Sequence, residues 1–97
     1  MDHNLRTPDK DRLFEAILSL ENIEECYQFF TDICTIRELD EISKRLKVSE
    51  MLYGGQSYAK ICKDTGVSTA TICRVNRCIE YGSGGYQLVH GRFSTKD

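Results

Sequence analysis

Ser57-Tyr58-Ala59-Lys60-Ile61-Cys62-Lys63-Asp64-Thr65-Gly66-Val67-Ser68-Thr69-Ala70-Thr71-Ile72-Cys73-Arg74-Val75-Asn76-Arg77-Cys78 reads as two short helices joined by a tight turn. Helices that cross steeply need a small residue where they touch, and Cys62 supplies one. Gly66 stands four residues later, where the backbone is expected to take a positive φ that other residues resist. Val67 is expected to point inward and lock the corner. Ser68 then reads as an N-cap, its hydroxyl accepting from the amide of Ala70 or Thr71. Ile72, Val75 and Ile79 recur on one face of the second helix and are expected to be buried. The opposite face presents Thr69, Ala70, Cys73, Arg74 and Arg77.

That outward set suits the major groove of duplex DNA. Thr69 and Ala70 are small enough to approach base edges and thymine methyls, and Arg74 and Arg77 can pair with guanine O6/N7 or with phosphates. Ser68 and Thr71 can donate to phosphate oxygens near the positive end of the helix dipole. Lys60 and Lys63, on the first helix, are placed to meet the sugar–phosphate backbone that this helix would cross. The same spacing also fits a plain αα-corner, and either arginine could simply solvate a face. A corner used to dock another protein is the reading from a different functional class. The ordered run Ile61-Cys62, Gly66-Val67-Ser68, Ile72 and Val75 meets several demands together, which favours a helix-turn-helix over about residues 57–78.

Working outward, the preceding chain also reads as helices. Thr7-Pro8 opens one over Asp9–Leu20, with acidic Asp9 and Asp11 at its positive end and Leu13, Phe14, Ile17 and Leu18 on one face. Asn22 caps a second helix, with Glu25 as its capping-box partner and Cys26, Phe29, Phe30 and Ile33 as its buried stripe. Thr35 opens a third in the same way with Glu38. Ile36, Leu39, Ile42, Leu46, Met51 and Leu52 carry its apolar face to Tyr53, where Gly54-Gly55 ends it. The tail over residues 82–97 contains Gly82, Gly84, Gly85 and Gly91, too many for a stable helix, although Tyr86-Gln87-Leu88-Val89 could pack an apolar strip back onto the domain. No run alternates with period two, so the expectation is an all-α fold in one domain, residues 1–97.

Composition bounds the partners. The 97 residues have a net charge of −2, 40% hydrophobic and 29% charged side chains, values of an ordinary water-soluble chain. The charge is uneven. Residues 1–34 hold three basic and eight acidic side chains, net −5, whereas residues 54–97 hold six basic and three acidic, net +3. Attraction to phosphate depends on the local field, so any DNA contact is expected in the C-terminal half. No apolar run approaches the roughly 18 residues of a membrane span, and the N-terminus lacks a signal-peptide core, so a cytoplasmic protein is expected. A chain this short has a thin core, and helical proteins of this size often complete it with a partner.

Five cysteines, Cys26, Cys34, Cys62, Cys73 and Cys78, are an odd number without the tight spacing of a zinc site, and the two histidines lie near the termini. Buried, reduced thiols are expected, with a redox-sensing thiol as the alternative and no metal. Nothing resembles a phosphate-cradling glycine loop or a nucleophile elbow, and the adjacent carboxylates Glu24-Glu25 and Asp40-Glu41 read as solvated. No catalytic residue and no cofactor are expected.

The run from Thr35 to Cys78 resembles the Trp-repressor superfamily, most of all its YerC/YecD-type branch. The resemblance rests on the long helix with Arg45 and Glu50, the Gly54-Gly55 break and the block Thr69-Ala70-Thr71-Ile72-Cys73-Arg74. The charged N-terminal helix and the Tyr81-Gly82 … Gly85-Tyr86 tail fit the same branch. It implies an intertwined all-α homodimer whose N-terminal helices share one core. Two reading heads would then face successive major grooves of a near-palindromic operator, as in a transcriptional repressor. It also implies an effector pocket at Thr35, Arg45, Thr71 and Arg74. Two positions depart from the tryptophan-responsive members. Val75 stands where they have a glycine that leaves room for the ligand, and Cys78 where they have a hydroxyl that binds its amino group. L-tryptophan is therefore not expected to be a strong corepressor.

Overall fold

The computed structural model describes residues 5–94, and among them it holds six helices and no strand. They fall into two compact units that divide between Leu39 and Asp40.

In the N-terminal unit, helix starts are set by side-chain caps. Helix α1, Pro8–Leu18, begins where Thr7 Oγ1 accepts the Lys10 amide at 3.0 Å, with Pro8 in the first turn. Helix α2, Ile23–Ile33, begins where Asn22 Oδ1 accepts the Glu25 amide at 2.9 Å. The Glu25 carboxylate reaches one residue further back than the capping box requires and accepts from the Glu21 amide, also at 2.9 Å. Helix α3, Ile36–Tyr53, has the full reciprocal box. Thr35 Oγ1 accepts from the Glu38 amide at 3.0 Å, and the Glu38 carboxylate accepts from the Thr35 amide at 2.8 Å. The bonds from Thr35 hold the Glu38 carboxyl below its ordinary pKa of 4.5.

The apolar faces read from the sequence exist, but the single chain does not cover them. No residue of α1 or α2 is buried. Phe14, Leu18 and Ile33 are exposed, Leu18 to 84%. In the stripe expected to be buried on α2, Phe29 and Phe30 are half-buried and meet edge to face at 5.6 Å, while Cys26 and Ile33 face out. Periodicity shows which side of a helix is apolar; it does not say whose atoms lie against it.

The C-terminal unit contains the core. Val48, Met51, Ile61, Ile72 and Val75 are buried, and Leu52, Tyr58, Cys62, Val67, Ile79 and Tyr86 pack around them. The buried side of α3 is thus Val48, Ser49 and Met51, in its last turns. Ile36, Ile42 and Leu46, expected on the same apolar face, remain exposed, Ile36 to 80%. Helix α4 spans Tyr58–Thr65 and helix α5 spans Thr69–Tyr81.

The tail corrects the sequence reading. Gly85–Ser94 forms helix α6, packed on α5. Three of the four glycines that argued against a helix precede its interior. Gly82 ends α5, and a Cβ there would collide with the Cys78 carbonyl. Gly84 sits at φ +87, a turn conformation. Only Gly91 weakens the helix from within, by about 1 kcal/mol relative to alanine. Contacts outweigh that cost. The Tyr86 ring packs on the core, His90 stacks on Tyr53 with ring centres 3.9 Å apart, and the Gln87 amide donates to the Ile79 carbonyl.

The cysteines also depart from expectation. All five are free, but none is buried: Cys26, Cys73 and Cys78 are exposed and Cys34 and Cys62 half-buried. They sit on faces the single chain leaves open or partly open. Among the described residues, no group of three His, Cys, Asp or Glu side chains is arranged to hold a metal ion, and no helix is long and apolar enough to cross a membrane.

Candidate nucleic-acid interface

The segment Ser57–Cys78 folds as two helices joined by a three-residue turn, Gly66-Val67-Ser68. Ser57 Oγ caps α4 by accepting the Lys60 amide at 3.2 Å. The helix stops at Gly66, whose φ of +72 turns the chain left-handed while its amide donates to the Cys62 carbonyl at 2.9 Å. No atom lies within 4 Å of the place a Cβ would occupy, so glycine is needed here for its backbone angle and not for space. Thr65 fastens the turn. Its hydroxyl donates to the Ile61 carbonyl at 2.6 Å and accepts the Val67 amide at 3.1 Å. Ser68 Oγ then caps α5, accepting the Thr71 amide at 3.2 Å. Cys62 Sγ lies 3.6 Å from Thr69 Oγ1, which puts the small residue at the approach of the two helices.

Helix α5 is divided as its periodicity implies. Ile72 and Val75 are 0% and 1% exposed, which fixes the rotation of the helix on the unit. Thr69, Ala70, Cys73, Arg74 and Arg77 consequently all face solvent, and Ser68 is exposed at the helix N-terminus. Thr71 is half-buried, its hydroxyl taken by a bond from Ser68 at 3.2 Å. On α4, Lys60 and Lys63 are exposed, and Lys60 is paired with Asp64 at 2.9 Å. So open a pair contributes little to stability and releases its ammonium readily.

The expected effector residues are gathered only in part. Arg45 and Thr71 line one open hollow of about 280 Å³, together with Glu41, Lys44, Val67 and Ser68. Arg74 is not among its lining residues, and Thr35 belongs to the N-terminal unit, where it caps α3. Val75, one turn further along α5, is packed into the core. Lys44 and Lys47 on α3 were not singled out from the sequence. Their spacing of three residues puts them on one helix face, a signal that was available.

The two-helix corner, with its outward face of small and basic side chains, is shared with a class of DNA-binding regulators. The chain belongs to the Trp repressor protein family, whose model matches residues 9–93. Within it the chain falls in the YerC-type branch. It is 50% identical over 88 residues to the uncharacterized protein YerC of Bacillus subtilis (strain 168), covering 91% of this chain and 85% of that one. The crystal structure of a TrpR like protein from Eubacterium eligens matches with a TM-score of 0.92 and 44% identity, over 99% of both chains. That of a candidate Trp repressor from Staphylococcus aureus matches with a TM-score of 0.90 and 46% identity, over 96% of this chain and 93% of that one.

Proposed function

We propose that the chain is a sequence-preferring regulator that binds near-palindromic operator DNA as an intertwined homodimer in the cytoplasm, and represses by occupying it. The observation that carries the reading is the division of α5: Ile72 and Val75 are buried while Thr69, Ala70, Cys73, Arg74 and Arg77 are all exposed. In this assignment Thr69, Ala70, Cys73, Arg74 and Arg77 enter the major groove. Ser68 and Thr71 hold a phosphate at the α5 N-terminus, and Lys60 and Lys63 hold the flanking backbone. The homodimer is supported by the apolar side chains left open on α1, α2 and α3, among them Phe14, Leu18, Tyr27, Ile36 and Ile42. Patches of this kind on a small chain mark an interface. Repression, as the direction of control, follows the family and not a feature of the site.

If the protein has a small-molecule effector, the hollow beside Arg45 and Thr71 is assigned to it as a site for an anion; L-tryptophan is not expected there, since the core residue Val75 stands where the tryptophan-responsive members have a glycine. The experiment that tests the function is selection of bound sites from random duplexes, followed by Arg77→Ala. If Arg77 reads a base, the variant loses about 1–3 kcal/mol and its preference at that position. If Arg77 meets phosphate, all sequences weaken evenly and the salt slope drops by about one. Absence of duplex binding at any salt concentration overturns the proposal.

A further inference from the structure

Between α3 and α4 lies a second open cleft, of about 350 Å³, lined by Lys44, Lys47, Met51, Gln56, Lys60 and Asp64 together with Thr65. Three ammonium groups and one carboxylate border it, and that carboxylate is already held by Lys60 at 2.9 Å. Lys44 and Lys47 have no ion-pair partner among the described residues. Lys63, grouped with Lys60 on sequence grounds, does not line the cleft.

A merely solvated basic face would scatter its lysines. Here two come from one face of α3 and a third from α4, and all three border the same concave space. Met51, 6% exposed, is the one apolar side chain of the lining, and the three lysines around the cleft are exposed. Flexible ammonium groups reaching in from different directions act as point charges, which suit a polyvalent anion such as a phosphate. Lys44 also borders the hollow that contains Arg45, Ser68 and Thr71. Lys44 is thus shared by the α3–α4 cleft and by the hollow at the N-terminus of α5, which Glu41 also lines.

We infer that the α3–α4 cleft is a phosphate-binding site, distinct from the hollow at the α5 N-terminus. Its phosphate comes from the backbone of bound duplex or from a free phosphate ester. The first source rests on the proposed DNA binding; the second does not.

The test uses the full chain, the K44Q/K47Q variant and the charge-preserving K44R/K47R variant, with sodium pyrophosphate as the probe at constant ionic strength. Pyrophosphate should raise the melting temperature of the unaltered chain and of K44R/K47R to a plateau. K44Q/K47Q should not respond, although it melts normally in chloride. Duplex affinity against salt separates the sources. Displacement of duplex by pyrophosphate, with a log–log slope about 1.8 smaller in K44Q/K47Q, assigns the backbone, at about 0.9 per phosphate for two contacts. Pyrophosphate that binds alongside duplex and leaves the slope unchanged assigns a free ester. Equal melting responses in all three proteins together with equal slopes overturn the site. Because the melting arm contains no DNA, failure of duplex binding alone would sink the proposed function and leave this inference standing.

Discussion

Gly66 offers a clean perturbation, because at this position backbone angle and packing are separated. A methyl group placed there meets no atom within 4 Å, while φ stays at +72. An L-alanine in the left-handed region costs about 1–2 kcal/mol. Against this, replacing glycine restricts the unfolded chain and returns about 0.4–1 kcal/mol. The net expectation for Gly66→Ala is a loss of about 1 kcal/mol. D-alanine reverses the first term only, since its preferred φ is positive, so a chain assembled with D-alanine should gain about 0.4–1 kcal/mol. Cys62, four residues upstream, is a natural ligation point for that synthesis. Urea unfolding of the three proteins at one fixed concentration reads both changes, provided the m-values agree. If the L and D variants shift stability equally, the angle is not what Gly66 supplies, and the turn must be held by a contact not recognised here.

Three further outcomes follow from the same observations. If the open apolar faces of α1, α2 and α3 are buried in a homodimer, the melting temperature rises with protein concentration; a compact, stable monomer at micromolar concentration in sedimentation excludes the dimer. Ser68→Ala removes the cap at the Thr71 amide and should cost about 1 kcal/mol of stability, with weaker duplex binding at all sequences; unchanged thermal unfolding would show that the bond is not needed. The lowered pKa of Glu38 means its contribution is fully present above the ordinary value of 4.5 and is lost as the pH falls through the lower value of the folded state. The stability difference between the native chain and Glu38→Gln should therefore be flat above that pH and shrink below it; a difference independent of pH through the acid range contradicts the assignment.

The parts of the fold legible in the sequence are those whose cause is local. Thr7, Asn22, Thr35, Ser57 and Ser68 each accept an amide three residues on, and all but Ser57 were read as helix starts from a polar side chain before a periodic run. Gly66 was legible for the same reason. What was not legible depends on distant partners. Helix α6 forms because Tyr86 and His90 find the core and Tyr53, contacts that outweigh the glycine content counted along the tail. The exposure of Leu18 and Ile36 could not be read from a spacing that only identifies an apolar face. At the candidate site, the outward set on α5 followed from period alone, whereas the clefts did not. Lys44 and Lys47 matter because α4 lies across from them, and Arg74 leaves the Arg45 hollow because of how α5 is rotated.

Val75 joins the core to the question of control. The resemblance implies a ligand in tryptophan-responsive members at the contact where this chain has a rigid, β-branched side chain. Here that side chain is 1% exposed and packs with Val48, Met51, Ile61 and Ile72. Burying a valine stabilises by about 1.5–3 kcal/mol, a contribution the chain makes to its own α5 without any bound molecule. The angle of α5 is then set in the effector-free protein. Val75 does not swing aside without loosening α5, because it and Ile72 are the two buried residues of that helix, with Ile79 packed beside them. The polar end fails as well: the exposed Cys78 thiol is a poor acceptor for an ammonium group. The expected outcome is that extensively dialysed protein binds a selected operator with full affinity, and that millimolar L-tryptophan changes that affinity less than twofold. Val75→Gly should lose stability and weaken operator binding, because the helix loses half of its buried anchor. Calorimetric titration with and without operator decides the matter. Micromolar L-tryptophan affinity in the unaltered protein, with a large gain in operator binding, would show that Val75 does not close the site.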